Sequence, residues 1–237
     1  LHQVKGLLRN TGVAVVEGYM DVVSLSNAGF REAVATLGTA LSEDHVQLLS
    51  RFTDKVNLVF DGDAAGRNAM VRAVEPFLGF DIVPRAVLLP DGKDPDDVAR
   101  TDRGLWSDLL AGAPSLWDFI FDESFSTRDS SKLEDKKSLM KELVPVISRV
   151  RDPLFRELLA QRLSLRLGVS QEVVVREMKQ GGGDGRPAAP SRNTSGERRP
   201  VEEIMMRLML FDDRAIRMAK LFGFAGEFRD NDLSALA

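Results

Sequence analysis

The chain has 237 residues, 43% of them hydrophobic and 29% charged, with a net charge of −4. That balance belongs to a globular protein of one large or two small domains, and it argues against a disordered chain or an evenly basic surface. The absence of cysteine excludes disulfides and cysteine-held zinc in this stretch and fits a reducing cytoplasm.

No apolar run approaches the ~20 residues of a membrane span. Residues 1–10 lack the order of a signal peptide. The first residue is Leu1 rather than Met, so the chain reads as a piece of a longer one. In chain order, Val13-Ala14-Val15-Val16 is a short apolar, β-branched run suited to a buried strand. Asp21 to Ala28 mixes polar and apolar residues with helical spacing, and Gly29 can end it. Ala33 to Thr36 is a second strand. Ser42 looks like an N-cap, with Glu43 and Asp44 in the first turn, where the helix dipole favours negative charge. That helix is expected to reach about Phe52. Val56 to Phe60 is a third strand, Ala64 to Leu78 a helix, and Ile82 to Leu89 a fourth strand whose Pro84 suits an edge or a strand start.

Alternating strands and helices predict an α/β fold, a Rossmann-like parallel sheet covered on both faces. From Leu105 to Lys179 the periodicity is helical. Leu139, Leu143, Val146, Ile147 and Val150 form one stripe. Phe155, Leu158, Leu159, Leu163 and Leu167 form another, stopped by Gly168. Ser170, Glu172 and Val173 start a further short helix. Trp106 and Trp117 in this region read as packing residues rather than base-stacking platforms. Residues 181–199 are rich in Gly, Pro, Ser and Arg and read as a flexible linker. Residues 200–237 are again amphipathic and read as the start of a second helical domain.

Three strands run into acids. Glu17-Gly18-Tyr19-Met20-Asp21 follows the first, and Asp61-Gly62-Asp63 the third. Asp91, Asp94, Asp96 and Asp97 follow the fourth. Parallel strands bring these acids to one edge, where open α/β sheets bind ligands. So many anions in a partly desolvated cleft repel one another, and a hard cation such as Mg²⁺ relieves that cost. A lone Asp after a strand is ordinarily a turn or cap residue, and Asp21 and Asp97 read equally well as caps. The repetition at three strand ends favours chemistry.

Together with Ala35-Thr36-Leu37-Gly38-Thr39-Ala40-Leu41 and Gly92-Lys93-Asp94-Pro95-Asp96, these strings resemble the ordered motifs of the Toprim domain in bacterial DnaG-type primases. The resemblance covers about residues 1–100 closely and 105–180 in position and character. It implies a Toprim catalytic domain over 1–104, a helical subdomain of the primase core over 105–180, and the incomplete start of a helicase-interaction domain over 200–237. It implies catalytic acids Glu17, Asp61 and Asp63, and a metal site of Glu17, Asp61, Asp63, Asp94 and Asp96 for Mg²⁺, with Mn²⁺ as an alternative. Asp21 matches the last acid of the first motif and stays outside the ligand set. Lys93 and Arg67 are candidates for meeting phosphate, by charge and position.

The implied activity is DNA-directed RNA primer synthesis by a nucleotidyltransferase, in the cytoplasm. Its partners are single-stranded DNA, ribonucleoside triphosphates and a DnaB-type replicative helicase. The family's zinc ribbon is expected only in an amino-terminal domain outside this stretch, and full activity is not expected of the stretch alone. A Toprim-type nuclease and a non-catalytic nucleic-acid-binding Toprim module are the alternatives. A topoisomerase fits poorly, because Tyr19 is the single tyrosine and lies inside the first acidic motif.

Overall fold

The computed structural model describes residues 12–36, 40–101 and 103–181, all of which fall in one unit of the chain. Four parallel strands form its sheet: β1 (Val13–Val16), β2 (Ala33–Ala35), β3 (Val56–Phe60) and β4 (Arg85–Leu88), in the order β2-β1-β3-β4. β1 pairs with β3 with Val13 opposite Val56 and Val15 opposite Leu58; β3 pairs with β4 with Phe60 opposite Leu88. Every residue of β1 is buried, as are the first four of β3. A strand buried on both sides needs helices on both faces.

Topology supplies them. The chain leaves β1 towards β2 in one direction and β3 towards β4 in the other, and right-handed crossovers then place the intervening helices on opposite faces. On one face α1 (Tyr19–Asn27), α4 (Pro95–Thr101) and α5 (Arg103–Gly112) cover the sheet. Leu25, Val98 and Trp106 from these helices share a core with Ala14, Val16 and Val87. On the other lie α2 (Glu43–Leu49) and α3 (Ala64–Arg72), which bury Val46, Leu49 and Met70. Burying one such side chain contributes roughly 1.5–3 kcal/mol.

Several boundaries differ from those expected, each for a local reason. The helix from Ala64 stops at Arg72 instead of Leu78, and a 3-10 turn, Glu75–Phe77, follows. Pro76 has no N–H to give, and its ring would strike the carbonyl four residues back, at Arg72. The strand expected from Ile82 begins only at Arg85, because the Pro84 carbonyl accepts the Leu116 N–H (2.7 Å). β4 is the edge strand, where a preceding proline is tolerated. Ser42 caps α2 by accepting the His45 N–H (3.3 Å), and His45 Nδ1 accepts the Ser42 N–H (3.2 Å) in return. The helix ends at Leu49, three residues before Phe52.

Four further helices follow: α6 (Leu116–Ser126), α7 (Leu133–Ser148), α8 (Pro153–Leu167) and α9 (Gln171–Gly181). α7, α8 and α9 pack on one another, and α6 packs on β4 and α3. Gly168 closes α8 in the left-handed conformation (φ 62°), which a residue without Cβ adopts at little cost. Three stripe positions are not core: Leu158 is half exposed, and Val146 and Phe155 are only partly buried, while Val144 and Ala160 are buried. Trp106 and Trp117 are buried, at 1% and 4% exposure, as packing residues should be. α5 runs across residue 104, the expected end of the first domain, and packs on the sheet through Trp106. The linker and the 200–237 segment lie outside the described residues apart from Gly181, which ends α9. Among the described residues no helix is long and apolar enough to cross a membrane.

Candidate active site

β1 and β3 are neighbours whose chain connections leave in opposite directions, so a crevice opens beyond their carboxyl ends. Glu17 follows β1 directly and Asp61 follows β3 directly. The register carries Glu17 level with Phe60, one residue short of Asp61, on strands about 4.8 Å apart.

The turn after β3 is tightly threaded. A Cβ on Gly62 would stand 2.3 Å from the Leu89 carbonyl oxygen and 3.0 Å from Asp91 Oδ1. A Cβ on Gly66 would stand 2.2 Å from the Asp61 carbonyl oxygen. Glycine at both positions lets the turn lie flat between the end of β4 and the start of α3, with an acid on either side of Gly62.

Three acids are anchored by backbone N–H groups. Asp63 caps α3, its Oδ1 accepting the Gly66 N–H (2.7 Å). Asp94 caps α4, its Oδ1 accepting the Asp97 N–H (2.7 Å), with Pro95 as the first helical residue. Asp21 reaches back to the Gly18 N–H with Oδ2 (3.0 Å). Capping thus falls to Asp63 and Asp94, and Asp21 closes back on the N-cap of α1 as its cap reading expected, while Asp97 provides the N–H that Asp94 accepts. A carboxylate has two oxygens and each of these anchors uses one, which fixes the group without consuming it.

The acids share one electrostatic environment. Glu17 and Asp61 reach solvent, yet the walls around them withdraw enough water to raise both carboxyls above their ordinary range. The charge of Asp63 adds to this at both, that of Asp61 at Glu17, and that of Asp94 at Asp61. Asp21 is raised by burial, then by Asp94, Asp61 and Glu17, against the lowering influence of the Gly18 N–H.

Asp96 stands differently: one oxygen meets Arg100 (3.2 Å), and Oδ1 is buried with no partner. A buried oxygen without a donor is costly, and a cation or a donor from a ligand would relieve it. Lys93 is exposed in the loop before α4. Arg67, in the first turns of α3, is bound to Glu123 of α6 (3.0 Å).

Glu17, Asp21, Asp61, Asp63 and Asp94 therefore act on one another, whereas Asp96 is turned to Arg100 and Arg67 to Glu123. Among the described residues no three side chains form a ready-made metal cluster. The donors are nonetheless hard oxygens that repel one another, which suits Mg²⁺, an ion that keeps several of its waters. Sequence reasoning left Asp21 out of the set, although it shares the same field. It counted Asp91, which lies against Gly62, among the strand-end acids but not in the site, and it passed over Glu123, which carries no local signal because it meets Arg67 from 56 residues away.

Comparison with known proteins agrees with this fold. Residues 14–99 match the Toprim-like family, and residues 118–172 match the DnaB-helicase binding domain of primase. The latter span covers α6 to α8 rather than the stretch after residue 200. The DNA primase of Pseudomonas aeruginosa is 38% identical over 68% of this chain and 25% of its own length; that of Escherichia coli is 35% identical over 82% and 32%. The chain thus spans about a quarter to a third of these relatives. Among solved structures, a DNA primase domain from P. aeruginosa superposes with a TM-score of 0.65 at 37% identity, covering 70% of this chain and 54% of that one. The E. coli primase catalytic core gives 0.63 at 39%, covering 67% and 52%. A DnaG primase catalytic domain bound to single-stranded DNA gives 0.63 at 38%, covering 68% and 52%.

Proposed function

As this chain carries a Toprim-like domain and is homologous to the catalytic core of bacterial DnaG-type DNA primases, we propose that it is the acid-bearing part of a primase that joins ribonucleotides into short primers on single-stranded DNA. The observation that carries this reading is the gathering of acids from three strand ends at the sheet's switch point, where they oppose each other's ionisation.

Glu17, Asp61 and Asp63 are the proposed catalytic acids, and with Asp94 and Asp96 they are the proposed magnesium or manganese ligands. The metal, when bound, would acidify the attacking 3′-hydroxyl and neutralise the triphosphate and its pyrophosphate leaving group. The chain's own part is placement. The Gly66 and Asp97 N–H groups hold the Asp63 and Asp94 carboxylates still, so that no reorganisation is needed when charge develops. Gly62 lets the Leu89 carbonyl and Asp91 lie against the turn, an approach that a side chain would block. Lys93 is free to swing towards an incoming phosphate, and Arg67 would have to leave Glu123 to do the same.

Single-stranded DNA as template is supported by the solved relative that holds it. A replicative helicase as partner is supported by the match over residues 118–172. In domain terms the sheet with α1 to α5 is the proposed catalytic unit. The remaining helices are a helical subdomain, and the segments 181–199 and 200–237 a linker and a further helical domain. A cytoplasmic location accompanies a replication role.

The test is magnesium calorimetry on the 237-residue chain, paired with primer synthesis by the full-length protein. Asp61→Ala with Asp63→Ala is expected to abolish magnesium uptake in the first and primer formation in the second. Normal synthesis by that double variant overturns the assignment. Metal-dependent strand cleavage in place of synthesis makes the chain a nuclease.

A further inference from the structure

The acidic rim needs a divalent cation only while no cation of the protein already occupies it, and one cation is close in sequence. Arg67 follows Asp63 by four residues, and its N–H donates to the Asp63 carbonyl (3.0 Å) in helical geometry. Asp63 is the N-cap of α3, with extended backbone, and Arg67 stands one helical turn further on, so the two are neighbours along the chain at the entrance of the helix, where an acid and an arginine attract.

They do not pair. The Asp63 Oδ1 is held by the Gly66 N–H, and the Arg67 guanidinium lies on Glu123 at 3.0 Å. Glu123 belongs to α6, which packs against α3, so the partner that takes Arg67 comes from the helical region rather than the sheet. Neither side chain is deeply buried: 45% of Arg67 and 33% of Glu123 is exposed. Exposed pairs of this kind add little to stability. The consequence of the contact is sought instead in where it leaves the guanidinium.

We propose that Glu123 is a positioning residue: by holding Arg67 on α6 it keeps the guanidinium from Asp63 and leaves that carboxylate available to a divalent cation. The inference rests on the metal-binding reading given above. It assigns Glu123 no contact with metal, nucleotide or template. It also makes the region matched to helicase binding, residues 118–172, contribute a side chain that sets the charge of the rim.

The experiment compares the wild-type chain, Glu123→Gln and the double variant Glu123→Gln/Arg67→Met by magnesium calorimetry, together with a metal-free crystal structure of Glu123→Gln. Glutamine keeps the size of the side chain and removes its charge. The single variant is expected to bind magnesium roughly two- to fivefold more weakly, the scale of one exposed ion pair competing for Asp63. The double variant, with no guanidinium left to compete, returns to wild-type affinity or better. The structure of the single variant shows Arg67 within about 4 Å of Asp63. The proposal is overturned by unchanged affinity in Glu123→Gln, by a double variant as weak as the single one, or by an Arg67 that stays away from Asp63. A purely structural role for Glu123 predicts no rescue by removing Arg67. If the wild-type chain takes up no magnesium, the functional reading fails, and the metal-free structure still decides whether Glu123 restrains Arg67.

Discussion

Replacing Gly66 with Ala tests how tightly the site is tied to the fold. The new Cβ would stand 2.2 Å from the Asp61 carbonyl oxygen, 2.9 Å from its carbon and 3.0 Å from its nitrogen, where ordinary contact begins at 3.4 Å. All three atoms are backbone and cannot rotate away, so α3 must retreat from the end of β3 by about 1 Å. Overpacking of this kind costs roughly 1–3 kcal/mol. Alanine recovers up to about 1 kcal/mol through its helix propensity. The expected net loss is about 1–2 kcal/mol, a fall in Tm of roughly 2–8 °C for a chain of this size. The retreat also parts Asp61, on the strand end, from Asp63, on the helix cap. Disturbing the groups that orient metal ligands typically weakens metal binding by about 10–100-fold. Thermal melts and magnesium calorimetry on the same sample measure both effects, with Gly79→Ala as control because a Cβ there meets nothing within 4 Å. Unchanged Tm and affinity refute the reasoning. A lower Tm with intact affinity refutes the link between helix position and site.

Other outcomes follow from burial and charge. Glu17, Asp21 and Asp61 have carboxyls raised above their ordinary range. Their protonated forms are thus favoured in the folded state, so the metal-free chain gains stability as pH falls through their folded values and the gain levels off at the ordinary carboxylate range. Melts in chelator from neutral pH down to the ordinary carboxylate range should show Tm rising; magnesium should flatten the rise and Asp61→Asn should reduce it. Trp106→Ala, at a position 1% exposed in the core beneath α5, is expected to lose about 3–5 kcal/mol in urea unfolding. A loss under about 1 kcal/mol would show that α5 does not belong to the sheet's core. Leu158→Gln should change stability by less than about 0.5 kcal/mol, since the side chain is 50% exposed, whereas Leu159→Ala should cost about 2–5 kcal/mol. Equal costs at the two positions would place Leu158 in the core.

Much was determined locally. Runs such as Val13–Val16 and Val56–Phe60 are too apolar and β-branched to lie anywhere but in a buried strand. Ser42 and Gly168 act within one helical turn, and so mark helix ends that any tertiary setting would respect. The acids stand out because they directly follow those strands. What local pattern could not decide was everything that depends on what lies opposite. The order β2-β1-β3-β4 makes Glu17 and Asp61 neighbours, and no spacing along the chain encodes it. The raised carboxyls of Glu17 and Asp61 are also tertiary, since they depend on how far the walls bury them and on which charges surround them in space, whereas the caps of Asp63 and Asp94 and the Asp96–Arg100 pair are local, each made within about one helical turn. Leu158 obeys the helical stripe as well as Leu159 does, yet a period of 3.6 says only that a face is apolar, not whether a neighbour will cover it. Glu123 meets Arg67 across 56 residues, a partnership set by the packing of α6 on α3 and by nothing in the local sequence of either residue.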